Sequence, residues 1–132
     1  MPTPGFRVKN SFFRSDPALV KQLAAIPVAN IGDTMNRMSC MNARVRPMND
    51  TPLAGCAMPG KVRAGDNLLF HKAIDMALPG DVLVIDAQNE QSYAIFGELM
   101  VQWLRKRGIT GVVADGCIRD YDALGKMDDI AI

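Results

Sequence analysis

The chain is poor in the residues that soft-metal and nucleophilic chemistry require. Among 132 residues there is a single histidine, His71, and only three cysteines, Cys40, Cys56 and Cys117, with no CxxC spacing. One histidine argues against Cys/His zinc sites and a Ser-His-Asp triad. Any metal must then rely on oxygen ligands, which points to Mg²⁺ or Mn²⁺. Three scattered thiols read as reduced cysteines of a cytoplasmic protein. Apolar runs are short; Val82-Leu83-Val84-Ile85 is typical, far below the ~20 residues needed to cross a bilayer. The N-terminal Met1-Pro2-Thr3-Pro4-Gly5 has neither the basic nor the apolar region of a secretory signal. Aromatics number eight, without alternation with basic residues, so RNA stacking has no support. Fifteen basic residues face fourteen acidic ones, and the net charge of +1 predicts no general attraction to nucleic acid or membrane. Neither GxxxxGK[ST] nor GxGxxG occurs, which removes the usual phosphate-loop and dinucleotide signatures.

What is present is an ordinary globular composition, 48% apolar and 22% charged. It predicts a single domain over 1–132 with an N-terminal arm over 1–14. Asp16 and Pro17 predict a helix start, with the helix running to about Ala25 and Leu19, Val20, Leu23 and Ala24 on one face. A short helical piece follows, ending near Arg37. Residues 38–54 read as loop with room for one short strand. Gly55–Val62 reads as a strand broken at Pro59-Gly60. Asp66 caps the next helix, whose apolar face is Leu68, Leu69, Ala73, Met76 and Ala77. Asp81–Asp86 is the clearest strand, followed by a Gln/Asn/Ser loop. A helix from Gly97 to before Gly108 carries Leu99, Met100, Trp103 and Leu104 as its buried stripe. Gly111–Asp115 is a second buried-type strand, a short helical segment spans about Tyr121 to Gly125, and Asp129–Ile132 begins a strand. Alternating strands and helices make the class α/β.

The chemistry gathers in the loops after the two clear strands, where open α/β sheets bind ligands. The amides of Gly97, Glu98, Leu99 and Met100 at a helix start can hold a carboxylate. Arg119 offers a donor fork for a carboxylate or an enolate oxygen, and Asp120 offers a hard oxygen ligand. The bland readings stand beside these: Gly97 as a plain helix opener, and Arg119-Asp120 as a surface pair or cap. Asn67 and His71 share a helical face and have either a pocket role or a structural one, the latter favoured. Asp33 reads as a helix cap rather than a pocket residue. Cys117 lies beside Arg119 but lacks a base, which disfavours a nucleophile. Nine methionines read as core filler. The lysines, Lys21, Lys61, Lys72, Lys106 and Lys126, show no pattern of a buried reactive amine, which disfavours a Schiff base.

Five segments occur in order: Val28-Ala29-Asn30-Ile31-Gly32-Asp33; Gly65-Asp66-Asn67 with His71; Pro79 to Asp86; Gly97-Glu98-Leu99; and Asp115-Gly116-Cys117-Ile118-Arg119-Asp120. From about Asp16 onward the chain resembles the family of regulator of ribonuclease E activity A and 4-hydroxy-4-methyl-2-oxoglutarate aldolase. The resemblance implies a swivelling β/β/α-type domain in a ring-shaped homotrimer, sometimes paired into hexamers, with the site near the subunit interface. It implies pyruvate binding by the backbone of Gly97, Glu98, Leu99 and Met100, substrate binding by Arg119, and a divalent cation, Mg²⁺ or Mn²⁺, on Asp120. The expected activity is a metal-dependent lyase on short 2-oxo acids, either an aldolase or an oxaloacetate decarboxylase. The alternatives are a non-catalytic partner of a ribonuclease E-type protein and, disfavoured by the missing glycine motif, the demethylmenaquinone methyltransferase label of some relatives. Two departures stand out. Ala123 occupies a position that is usually acidic, with Asp122 one residue earlier, and the family's segment beyond a strand like Asp129–Ile132 is absent, so the C-terminal part of the domain is expected to be missing.

Overall fold

The computed structural model describes residues 6–132; Met1–Gly5, including the stretch read for a signal and the start of the arm, lie outside the described residues. The sheet consists of three parallel strands in the order β1 (Cys56–Lys61), β2 (Asp81–Phe96) and β3 (Gly111–Ile118). Two helices provide the connections, α3 (Leu68–Met76) and α4 (Glu98–Lys106). Preceding the sheet are α1 (Pro17–Ala24) and α2 (Val28–Thr34), and α5 (Tyr121–Leu124) follows it. The α/β class is therefore as the alternation predicts.

Local chemistry explains the boundaries. Asp16 accepts the Ala18 N–H at 2.8 Å and Pro17 opens α1, as expected. Helix α4 ends in a Schellman motif: the Gly108 N–H donates to the Arg105 carbonyl and the Ile109 N–H to that of Leu104. Gly108 takes the left-handed conformation there, at φ 73°, and Ile109 and Leu104 are both buried. The core joins Phe70 and Ile74 of α3, Leu83 and Ile85 of β2, and Val101 and Leu104 of α4. Phe70 meets Phe96 edge to face, with centroids 5.4 Å apart.

Several expectations are corrected. Strand β1 is not broken at Pro59-Gly60. It pairs in register through both, because an edge strand tolerates a proline whose nitrogen faces away from the ladder. The Gln/Asn/Ser loop after Asp86 is instead an irregular continuation of β2, with register shifts at Glu90 and Ala94. Gln88 and Asn89 carry it through positive φ, and the Asp86 side chain accepts the Gln88 N–H at 2.9 Å. No strand forms within 38–54; Asn49 uses its side chain instead, donating to the Met127 and Ile130 carbonyls. The strand expected at Asp129–Ile132 reduces to an isolated parallel bridge between Gly111 and Ala131. Asp66 bonds the Leu68 N–H at 2.8 Å, but the cap position falls on Asn67. Leu68, Leu99 and Trp103 are exposed, while Phe70, Ile74 and Val101 take the buried places. Ala73, Ala77, Met100 and Leu104 are buried as expected, so periodicity found both helices and part of each buried face, and misplaced the rest because the buried arc follows the sheet beneath. Helix α1 buries none of its expected apolar face. Asp33 is no cap: it lies in the last turn of α2 and pairs with Arg37 at 2.8 Å.

The sequence reading also missed a buried acid. Asp81 opens β2 at 1% exposure and is held by both Nε and Nη2 of Arg14, at 2.9 Å, and by the Leu78 N–H at 2.8 Å. That pair fixes the arm to the base of the sheet across 67 residues.

Candidate functional site

The carboxyl ends of β2 and β3 bring the two expected loops together. Phe96 ends β2, Gly97 takes the cap position of α4, and Arg119-Asp120 follow β3. The Arg119 N–H donates to the Phe96 carbonyl at 3.1 Å, which locks one loop to the other. Asp120 adopts the left-handed conformation at φ 61°, one that aspartate tolerates better than most residues. This turn aims its carboxylate back at α4, where Oδ2 accepts the Glu98 N–H at 2.9 Å. Arg119 Nε lies 3.7 Å from the same oxygen.

Gly97 is more than a helix opener. A Cβ there would collide with the Asp120 carboxylate and fall 2.8 Å from Arg119 Cγ. Its extended backbone suits any residue; the close approach of the Arg119-Asp120 loop is what demands glycine. A cavity of about 120 Å³ opens beside this contact, lined by Asn67, Phe96, Gly97, Leu99, Met100 and Arg119. At ~30 Å³ per water, that is room for about four waters, the scale of a small acid.

The row of exposed amides is shorter than the sequence suggests. Glu98 gives its N–H to Asp120, and the Val101 N–H returns to the Gly97 carbonyl. The N–H groups of Leu99 and Met100 make no hydrogen bond among the described residues. Two amides at a helix N-terminus, with the Arg119 guanidinium 70% exposed beside them, can bind one carboxylate. Of the residues named from sequence, Gly97, Leu99, Met100 and Arg119 line the cavity, and Glu98 and Asp120 brace its edge. Asn67 lines it too, its Nδ2 3.8 Å from Met100 Sδ, but His71 does not; its ring lies 6.0 Å from Trp103. Phe96 was missed. The signal was available: it is the last strand residue before a glycine that admits a neighbouring loop.

Among the described residues no group of three or more His, Cys, Asp or Glu side chains forms a metal cluster. Asp122 falls in the first turn of α5 and joins no such group. Asp120 retains Oδ1, which accepts no hydrogen bond among the described residues. One hard carboxylate oxygen facing solvent fits a largely hydrated Mg²⁺ or Mn²⁺, which keeps its waters readily. It does not fit a cation that needs an all-protein cage.

A second charged row crosses the sheet nearby. Lys61, Asp86 and Asp115 are register neighbours, and Arg44 grips Asp115 in a fork at 2.7 and 2.8 Å. The Arg44 guanidinium holds the Asp115 carboxyl below the usual carboxylate range. Asp86 is lowered as well, first by the Gln88 N–H and then by Lys61.

The Aldolase/RraA profile of the RraA-like family matches residues 28–131. The chain belongs to the RraA-like family.

A protein of Halalkalibacterium halodurans named "Putative 4-hydroxy-4-methyl-2-oxoglutarate aldolase" is 36% identical over 105 residues, covering 79% of this chain and 50% of that protein. A Pseudomonas aeruginosa protein of the same name is 35% identical over 63 residues, 48% of this chain and 39% of its own. The chain thus spans half or less of the length of these two relatives. Among solved structures, an S-adenosylmethionine:2-dimethylmenaquinone methyltransferase from Geobacillus kaustophilus superposes with TM-score 0.71 at 26% identity, covering 80% of this chain and 66% of that one. The RNA-processing inhibitor RraA from Thermus thermophilis superposes with TM-score 0.70 at 20% identity, covering 80% of this chain and 64% of that one, and shows the shared fold alone. The described residues contain no helix long and apolar enough to cross a membrane.

Proposed function

We propose that this RraA-like chain carries the oxo-acid-binding half-site of a divalent-metal-dependent carbon–carbon lyase that releases pyruvate. The supporting observation is the Glu98 N–H to Asp120 carboxylate bond, which joins the carboxylate-binding helix start to the Arg119-Asp120 loop at one small cavity. The substrate is a short 4-hydroxy-2-oxo diacid or oxaloacetate. Leu99 and Met100 N–H groups hold the carboxylate next to the oxo group. Asp120 would hold Mg²⁺ or Mn²⁺ through Oδ1, and the bound cation supplies Lewis-acid polarisation of the 2-oxo group. Arg119 places its positive charge where enolate oxygen charge develops as the C3–C4 bond breaks. In the aldol case the 4-hydroxyl proton leaves as the second oxo acid forms, and C3 of the enolate is then protonated to give pyruvate. Gly97 keeps the two loops in contact, and Phe96 and Met100 limit water at the cavity wall.

A homotrimer, alone or paired into a hexamer, is part of this reading. Its support is the uncovered apolar surface of α1 and α2, where Leu19, Leu23, Ile26 and Val28 are all exposed. A cytoplasmic setting is also part of it, in keeping with three free cysteines.

One observation favours a second reading, a non-catalytic regulator that binds a ribonuclease E-type protein. Ala123 stands where the resemblance expects an acid, and Asp120 has no clustered partner among the described residues. A coupled pyruvate assay over a panel of 2-oxo diacids, with Mg²⁺ and then with EDTA, separates the two. Metal-stimulated pyruvate release supports the lyase. Its absence across the panel, with retained capture of ribonuclease E, supports the regulator.

A further inference from the structure

A cavity of about 580 Å³ lies at the opposite edge of the sheet from the oxo-acid site. Its walls are residues 7–13 of the arm, the edge of β1 and the flank of α3. Four cationic side chains reach it, Arg7, Lys9, Lys61 and Lys72, and no acidic residue lines it. In a chain with only one excess positive charge, that is a local concentration. Only Lys61 is paired, to Asp86 at 3.2 Å; Arg7, Lys9 and Lys72 form no ion pair among the described residues. The floor is apolar, formed by Met58, Leu69, Ala73 and Met76. Phe12 and Phe13 close one side, and Phe13 is 88% exposed.

The arm is tethered at its inner end. Arg14 anchors it to the buried Asp81, and the same guanidinium stacks 4.1 Å over the Phe12 ring. The β1 edge, moreover, is unsuited to receiving a peptide strand. The Val62 N–H donates inward to the Asp86 carbonyl, so the period-two alternation turns the main chain of Ala57, Pro59 and Lys61 outward. Pro59 has no N–H to offer there, the usual way an edge strand is blunted. The groove therefore favours a ligand that brings its own apolar body and one anionic head.

We propose that the groove between the arm, β1 and α3 binds a single-chain anionic amphiphile, a long-chain fatty carboxylate. The alkyl chain lies on Met58, Leu69 and Met76, and the carboxylate meets Lys9, Lys72 or Arg7. Its volume falls in the range of small-molecule sites. The proposal does not depend on the lyase reading, since it shares no lining residue with the oxo-acid cavity.

The test is calorimetric titration of the full chain with dodecanoate below its micellar concentration. Saturable one-site binding is expected. Neutral dodecyl maltoside should bind at least tenfold more weakly, as should dodecanoate to the double variant Lys9→Glu/Lys72→Glu with an unchanged circular dichroism spectrum. If that variant does not fold, raising the salt concentration on the unmodified chain provides the same readout, with dodecanoate weakening and the maltoside not. Equal affinity for the neutral ligand, affinity indifferent to both charge reversal and salt, or no saturable binding would overturn the proposal. So would binding of a glutamate-rich peptide or of phosphatidylglycerol vesicles in place of dodecanoate.

Discussion

Gly97 and Asp120 are separated by a helix and a strand in sequence, yet the carboxylate of one occupies the space where a side chain on the other would be. The consequence for the oxo-acid site is direct. Gly97→Ala should push the Arg119-Asp120 loop off the start of α4 and lower pyruvate-releasing activity at least tenfold. Overpacking of this kind costs about 1–3 kcal/mol, so urea unfolding should show a moderate loss with the fold retained. Activity at the unmodified level in a folded Gly97→Ala protein would separate the cavity from catalysis.

Asp120 has two separable tasks. Its Oδ2 caps the Glu98 N–H and its Oδ1 is available to a cation. Asp120→Asn can keep the cap, whereas Asp120→Ala loses it at about 1 kcal/mol. Both should abolish metal-stimulated pyruvate release, and only the alanine variant should lower the melting temperature. Full activity of either variant, or of the unmodified protein in EDTA, would refute the metal-dependent mechanism.

The Arg14–Asp81 clasp is a stability element. Arg14→Ala leaves the Asp81 carboxyl with only its main-chain donor, Leu78 N–H; because Arg14 is only half-buried, the loss should fall below the ~3–5 kcal/mol of a fully buried pair. Arg14→Met/Asp81→Leu removes both charges and should lose much less. Denaturant midpoints of the two variants give the comparison, and equal losses would show that the charges do not act as a pair.

The Arg44–Asp115 fork sets a pH dependence. Asp115 has its carboxyl lowered in the folded chain, so the stability it contributes is present above the unfolded carboxylate pKa, about 3.9. It is lost as the pH falls through the lower folded value. Arg44→Met should therefore destabilise the protein at neutral pH and flatten the acid limb of the stability profile below about pH 4. Denaturant titrations from pH 7 down to pH 2.5 check this, and parallel acid limbs would rule the fork out as their cause.

The parts of the candidate site were legible as two loops that follow strands, where parallel sheets bind ligands. The strands themselves run on to Phe96 and Ile118, so Gly97 and Arg119-Asp120 directly follow the strand ends. The burial of Asp81 was not legible: it reads only as the first residue of a strand, and Arg14, 67 residues away, is what holds it as a buried acid. Leu99 and Trp103 were misread because apolar character identifies a helix face only when the covering surface is known. The continuation of β2 past Asp86 was hidden because its polar residues pair with β3 only intermittently, at Glu90, Ala94 and Phe96, with local bonds such as the Gln88 N–H to Asp86 between them.

Sequence alone determined the alternation of strands and helices, the capped start of α1 and the glycine that ends α4, since each depends on neighbours within a few positions. Tertiary structure decided which helix N–H groups remain open to a ligand, which glycine is obligatory and which acid is buried. Those outcomes depend on what lies across the sheet, and distance along the chain carries no information about that.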